Sequence, residues 1–344
     1  MPKHTADNIR YSWQLLRAGP LKLDGGSMFG VVPRVVWTRT VTPDDKNRIE
    51  LTHNCLLLTS ESPDPRLGRR RRILIEAGTG DKLDEKMTEV FGVDPSRAAH
   101  HLVAGAGLDP GEIDQVIVSH LHFDHAGGLT RRCEPGETPD WSADADGAPG
   151  DASGDSPNVR LAFPRAEVVV QEREWRDALA NDAVMTKTYY RDHLLPLGLP
   201  LPDGSPRVRT LAAPAPFAQG EHPPRSALPE TTTDQRTVEA APGVGAFLVP
   251  GHTWGQQAVT FTDTEDRRIV FTPDVLPTAW HTGAAYSLAY DVEPYSSMLS
   301  KRWLLTEAEH HGWHLLLDHE PADPLRRVAK NAKAWYTLEP AGGA

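Results

Sequence analysis

The chain has 344 residues, 39% of them hydrophobic and 24% charged, with a formal net charge of −11. That length holds one large domain or two ordinary ones, and that acidity excludes partners that need a basic face, namely nucleic acid and anionic membranes. With only Cys55 and Cys133, neither a disulfide framework nor a cysteine-based zinc ribbon is possible.

The opening residues MPKHTADNIRYSW carry no apolar leader, and nowhere do about 18 apolar residues run together, so a cytoplasmic protein is expected. In chain order, VVPRVVW (31–37) reads as the first buried strand, on its β-branched residues. CLLLTS (55–60) follows, with Cys55 as a small buried thiol. The arginine run 69–72 reads as a solvated turn leading into RILIEAG (72–78). Asp109 and Pro110 open a helical turn before QVIVSH (115–120). Further strands are expected at AEVVVQ (166–171), AFLVPGH (246–252), AVTFTD (258–263), RIVFTPD (268–274) and WHLLLDH (313–319). Helical spacing covers 171–182, 296–312 with Gly312 as a stop, and 323–338. This interleaving predicts layered α/β packing in one domain, 1–344. Two segments, 133–158 (rich in Asp, Gly, Pro, Ser and Ala) and 213–236 (rich in Pro and Thr), cannot bury much apolar surface and read as surface insertions.

The chemistry concentrates in SHLHFDHAGG, Ser119–Gly128. His120 and His122 stand two apart at a strand end, so in extended geometry both imidazoles face one side and can share an ion. Asp124 and His125 are adjacent and reach a second ion only if the chain turns; Gly127 and Gly128 read as the source of that freedom. Neutral imidazoles with hard carboxylates suit zinc, and also manganese, iron(II) or cobalt. His53, His100, His101, His193, His310, His311 and His314 have no motif and read as structural or exposed.

The His-x-His-x-Asp-His order resembles the signature of the metallo-β-lactamase superfamily. VPGHTWG, VFTPDVLP and LLLDHE follow in the order that family requires. The resemblance spans nearly the whole chain and implies a four-layered αβ/βα sandwich: two mixed sheets flanked by helices. It implies a first metal site of His120, His122 and His252, and a second of Asp124, His125 and His319, bridged by Asp274. It thus implies two divalent ions, zinc first. Ions about 3.5–4 Å apart can bind a bridging water and lower its pKa towards 7. Hydrolysis by that hydroxide is the expected reaction, with Asp124 as the candidate proton donor to the leaving group. Where the family usually has an Asp-Thr-Gly turn, this chain has Glu76-Ala77-Gly78; Glu76 and Asp318 are candidates for orienting the metal-bound histidines.

LDGGSMFGVVP resembles the apolar loop that covers the pocket in the branch of N-acyl-homoserine lactone lactonases and methyl-parathion-type hydrolases. Met28, Phe29, Phe123, Trp254, Trp280, His281 and Tyr290 are the candidate pocket residues. The best-known lactonases of that branch carry a tyrosine three residues after the bridging Asp, where this chain has Pro277; Tyr189, Tyr190 or His281 are the candidate replacements. Lactone or ester hydrolysis is the first reading, phosphotriester hydrolysis the second, with β-lactam hydrolysis and a structural or inactive metal protein behind them. A small-molecule substrate with an apolar portion is expected, acted on by a monomer or homodimer without nucleic-acid or membrane partners. Only 25 residues follow His319, too few for the helical region of a glutathione thioesterase, and His122 excludes the flavodiiron branch.

Overall fold

Alternation along one strand decides the layering. The structure, a computed structural model, describes residues 9–142, 158–181, 188–221, 224, 229 and 232–342. In the strand Arg48–Asp64, Leu56 and Leu58 pack with Ile73, Ile75, Ile117 and Val169 against Val259, Phe261, Ile269, Phe271 and Leu316. Leu57, pointing the other way, packs with Leu74, Val116 and Val168 beneath the helices Ala99–Gly105 and Glu172–Ala180. Period-two alternation thus puts one face of the strand in an inter-sheet core and the other under helices. On the far side Phe247, Val270, Leu315 and Leu317 pack beneath Trp303, Leu304 and Ala308 of the helix Pro294–His311. The layers run helix, sheet, sheet, helix, as expected.

The two sheet halves form one hydrogen-bonded path, part of a 13-stranded mixed sheet. They meet where Arg10–Asp24 pairs in parallel with Gln257–Asp263 through Arg10↔Thr262 and Tyr11↔Asp263 alone. A three-stranded sheet stands apart. The long helix begins with Pro294 at its first position and ends at Gly312, whose φ of 65° is the left-handed stop anticipated from sequence.

Four readings of the sequence are corrected. Residues 31–37 form no strand: Arg34–Trp37 is a helical turn after Pro33, with Val31 and Val35 exposed and Trp37 stacked on Phe29 at 5.1 Å. Residues 323–338 are not a helix but an antiparallel pair, Leu325–Lys330 with Tyr336–Pro340, extending the sheet beyond His314–Leu317. Ladder pairing at a sheet edge there overrode the helical spacing. The arginine run is the start of the strand Arg69–Ile75, its charges matched by Asp114, Asp64 and Glu112. Of the two presumed insertions, 143–157 and most of 222–231 lie outside the described residues. Trp141–Ser142 pairs as a strand with Asn158–Leu161, and Thr233–Arg236 is a helical turn with a capping box at Thr232 and a bond from Thr233 Oγ1 to Glu307 at 2.6 Å. Those ends are therefore built into the fold. The strand Arg10–Asp24 was not anticipated, because its polar residues interrupt the apolar run.

Candidate metal centre

The candidate ligands emerge just beyond strand ends at one rim of the sandwich. His120 follows Gln115–Ile117, His252 follows Val244–Leu248, Asp274 follows Arg268–Thr272, and His319 follows His314–Leu317. The strand ends before His120, so His120 and His122 lie in a loop, their rings 4.5 Å apart. The helical turn Phe123–Ala126 then swings Asp124 and His125 inward. Gly127 has φ −58°, which any residue adopts, so conformational freedom is not its role. A Cβ there would stand 2.1 Å from the Thr79 carbonyl oxygen, and one at Gly128 2.1 Å from that of Ala77. The two glycines are required by close backbone approach.

All seven predicted ligands converge, in two groups. Ligating atoms of His120, His122, His252 and Asp274 lie within 4.8 Å of one another, as do those of Asp124, His125 and His319. Asp274 faces both: its Oδ2 is 3.0 Å from His252 Nε2 and 3.6 Å from His125 Nε2, and its Oδ1 is 3.1 Å from His319 Nε2. Asp124 Oδ2 stands 3.8 Å from both His125 Nε2 and His319 Nε2.

The outer nitrogens of His120, His252 and His319 are anchored, which fixes the direction of the inner ones. Ser119 Oγ is 3.0 Å from His120 Nδ1, His319 Nδ1 donates to the Thr52 carbonyl at 3.0 Å, and Asp291 Oδ1 lies 2.9 Å from His252 Nδ1. Asp318 Oδ2 is 3.0 Å and Glu76 Oε2 3.4 Å from His125 Nδ1, while Glu76 Oε1 also accepts from Ser119 N at 2.7 Å. Both carboxylates therefore stand where an orienting partner should. Asp318→Asn is expected to weaken binding of the second equivalent of metal by about 10- to 100-fold, the usual range for such partners, as read by metal titration.

Burial and then neighbouring imidazoles hold His120 and His122 well below the ordinary histidine pKa. Burial also acts to lower His252 and His319, but adjacent carboxylates outweigh it and push them up to about 10 and about 9. Asp274 is held well below the carboxylate range, burial being overcome by His252 and His319. The buried His120 Nε2, His125 Nε2, His319 Nε2 and Asp274 Oδ1 have no aligned hydrogen-bond partner. Buried polar atoms are seldom left so. Nitrogen-rich and carboxylate donors, converging without hydrogen-bond alignment, fit a pair of divalent ions.

A pocket of about 140 Å³ opens onto these ligands, lined on its other side by Leu23, Met28, Phe91, Phe123, Leu288 and Tyr290. Three of the expected pocket residues, Met28, Phe123 and Tyr290, are therefore in the wall. Phe29, Trp254, Trp280 and His281 are not. His281 is fully buried, with Nδ1 at 2.8 Å from Thr278 Oγ1, Nε2 at 2.8 Å from the Met28 carbonyl oxygen, and its ring stacked on Phe29 at 4.9 Å. Its position ties the N-terminal loop to the segment after Asp274. Burial, with Lys301 nearby, lowers its pKa to about 3. A histidine kept neutral in the fold stabilises fully above its unfolded pKa, about 6.5, and loses that stability as pH falls from there towards 3. Wild-type Tm should thus fall more steeply between pH 7 and 5 than that of His281→Gln; parallel profiles would refute it.

Neither Tyr189 nor Tyr190 lines the pocket. Tyr189 donates to Glu174 Oε1 at 3.2 Å, and Tyr190 stacks on Phe123 at 5.6 Å. Sequence reasoning missed Asp291 and Glu174, which no motif marks, and His53, a buried ring 5.2 Å from that of His319 and 2.8 Å from Thr79 Oγ1. Only the neighbouring Asn54-Cys55-Leu56 run hinted that His53 is inside.

A family model described as the metallo-beta-lactamase superfamily matches residues 50–309. The fold is similar to a probable metal-dependent hydrolase from Staphylococcus aureus, at 24% identity over 97% of this chain and 98% of that one, with a TM-score of 0.69. It is also similar to AidC, a dizinc quorum-quenching lactonase, at 14% identity over 98% and 99% of the two chains, with a TM-score of 0.64. The hydrolase AbOPH of the beta lactamase superfamily gives 16% identity, 99% and 100% coverage, and a TM-score of 0.63. At such identities these likenesses show the fold. No helix among the described residues is long and apolar enough to cross a membrane.

Proposed function

The chain belongs to the metallo-beta-lactamase superfamily, and from that premise we propose that it is a binuclear metal-dependent hydrolase that opens lactones or cleaves esters carrying an apolar portion. The observation that carries this is Asp274: one carboxylate turned towards two separate nitrogen clusters, at the mouth of a pocket with an apolar far wall. His120, His122 and His252 would hold one ion and Asp124, His125 and His319 the other, with Asp274 shared; zinc suits the donor set best, ahead of manganese, iron(II) or cobalt. When bound, such a pair supplies Lewis acidity and a water acidified to near neutral pKa.

The chain's own residues do the rest. Leu23, Met28, Phe91, Phe123 and Leu288 receive the apolar part of the substrate and exclude water from the reacting carbonyl. Asp124 borders the same pocket, which places it to pass a proton to the departing oxygen. Tyr290 is, with Thr188, a hydroxyl in the pocket wall, and burial pushes its pKa up to about 12, so it stays protonated and can donate to the substrate oxygen. It replaces the tyrosine absent at Pro277. Tyr290→Phe is expected to lower kcat by about 10²-fold with metal content unchanged, the scale of one lost oxyanion donor. On this reading the protein works as a single cytoplasmic domain, monomeric or dimeric, without nucleic-acid or membrane partners.

The test ranks kcat/KM for lactones of differing acyl chains, p-nitrophenyl esters, phosphotriesters and β-lactams. Lactones or carboxylic esters should lead. A protein holding two ions that hydrolyses none of the four classes would overturn the reading, and a lead by phosphotriesters would reassign the substrate.

A further inference from the structure

Away from the pocket, the turn after the strand Arg69–Ile75 brings a second set of donors together. Asp81 lies on that turn, and His100 and His101 begin the helix Ala99–Gly105 beside it. One ligating atom from each of the three lies within 4.8 Å of the others. We propose that Asp81, His100 and His101 form a separate cation site for a borderline divalent ion of the zinc class.

Three observations support this. First, His100 is only 8% exposed, and its Nδ1 is sealed from solvent with no hydrogen-bond partner, a state a buried imidazole seldom keeps. Second, among the described residues the Asp81 carboxylate receives only the backbone N–H of Arg132, at 3.1 and 3.3 Å. The Arg132 guanidinium beside it is committed instead to the carbonyl oxygens of Asp81, Lys82 and Leu83, at 2.7, 2.9 and 2.7 Å. The carboxylate therefore keeps lone pairs free for a ligand. Third, the His100 and His101 rings lie 4.0 Å apart between centroids, a spacing that brings two imidazoles to one side of the helix. Burial, and then His101, lowers the His100 pKa to about 4, so it is present in the neutral form that ligates.

Two imidazoles and one carboxylate select zinc, nickel or copper over magnesium and calcium, which prefer all-oxygen cages. Exposed His101 borders an open hollow that also contains Asp81 and Glu85, leaving room for water to complete a four-coordinate shell. An ion here would pin the turn whose Gly80 is in close approach to the Gly127 backbone, directly behind the Phe123–Ala126 ligand turn.

Zinc titration by equilibrium dialysis of the holoprotein tests this, comparing wild type with His101→Ala and Asp81→Asn. Because His101 is exposed, and asparagine at 81 keeps an acceptor for Arg132 N, both variants should fold. Wild type should bind one equivalent more than either variant, with catalytic rates alike in all three. Identical stoichiometry in wild type and both variants would overturn the site. The comparison is between variants, so its failure is distinct from any failure of the binuclear hydrolase reading.

Discussion

Asp274→Ala is expected to leave less than one ion in the binuclear centre and to lower kcat/KM by at least about 10³-fold, since a metal pair contributes several kcal/mol to such reactions and each 1.4 kcal/mol is tenfold. The reason is positional. Among the described residues, Asp274 is the one carboxylate whose two oxygens approach both clusters, at 3.0 Å from His252 Nε2 and 3.1 Å from His319 Nε2. Its removal also leaves two ions facing each other's repulsion without a shared anion. Metal analysis and kinetics on the same preparation check this. Retention of both ions with normal turnover would show that Asp274 does not bridge.

Glu174→Ala should destabilise the fold by about 3–5 kcal/mol and release metal from the His120, His122, His252 group before the other. Glu174 is buried on the helix Glu172–Ala180, and its carboxylate accepts from Leu121 N at 2.9 Å, Thr253 Oγ1 at 2.6 Å and Tyr189 Oη at 3.2 Å. Leu121 sits between His120 and His122, and Thr253 adjoins His252, so one side chain spans both loops of the first group. Alanine would strand three buried donors, each costing about 1–3 kcal/mol. Glu174→Gln retains an acceptor and should lose less. Thermal unfolding and stepwise chelation would measure both effects; equal release from the two groups would sink the positioning role.

Elements were legible where a short apolar run met a clear stop. The strand at 268–272 and the helix ending at Gly312 are examples, and so is the cluster of candidate ligands, because His120, His122, Asp124 and His125 are crowded into six positions. The errors had a common physical origin. Spacing over 323–338 suits a helix, but Leu325–Lys330 found a free sheet edge, and ladder hydrogen bonds outweighed local propensity. VVPRVVW has strand-like composition, yet Pro33 sets up a helical turn; Trp37 is buried in a core cluster and Val32 packs against it. The pocket was half legible: Met28, Phe123 and Tyr290 line it, whereas His281 and Phe29 are stacked behind it.

By itself the sequence determined the donor set, its order along the chain and the layered α/β class, because ligand chemistry and strand alternation are local properties of residues and their spacing. Only the tertiary structure decided which tyrosine lines the pocket, which buried carboxylates support the ligand loops, and that Gly127 and Gly128 serve close packing. Those depend on residues such as Glu174, Asp291 and Tyr290, brought to the rim by separate elements whose meeting is set by the two-sheet core and not by any neighbour in sequence.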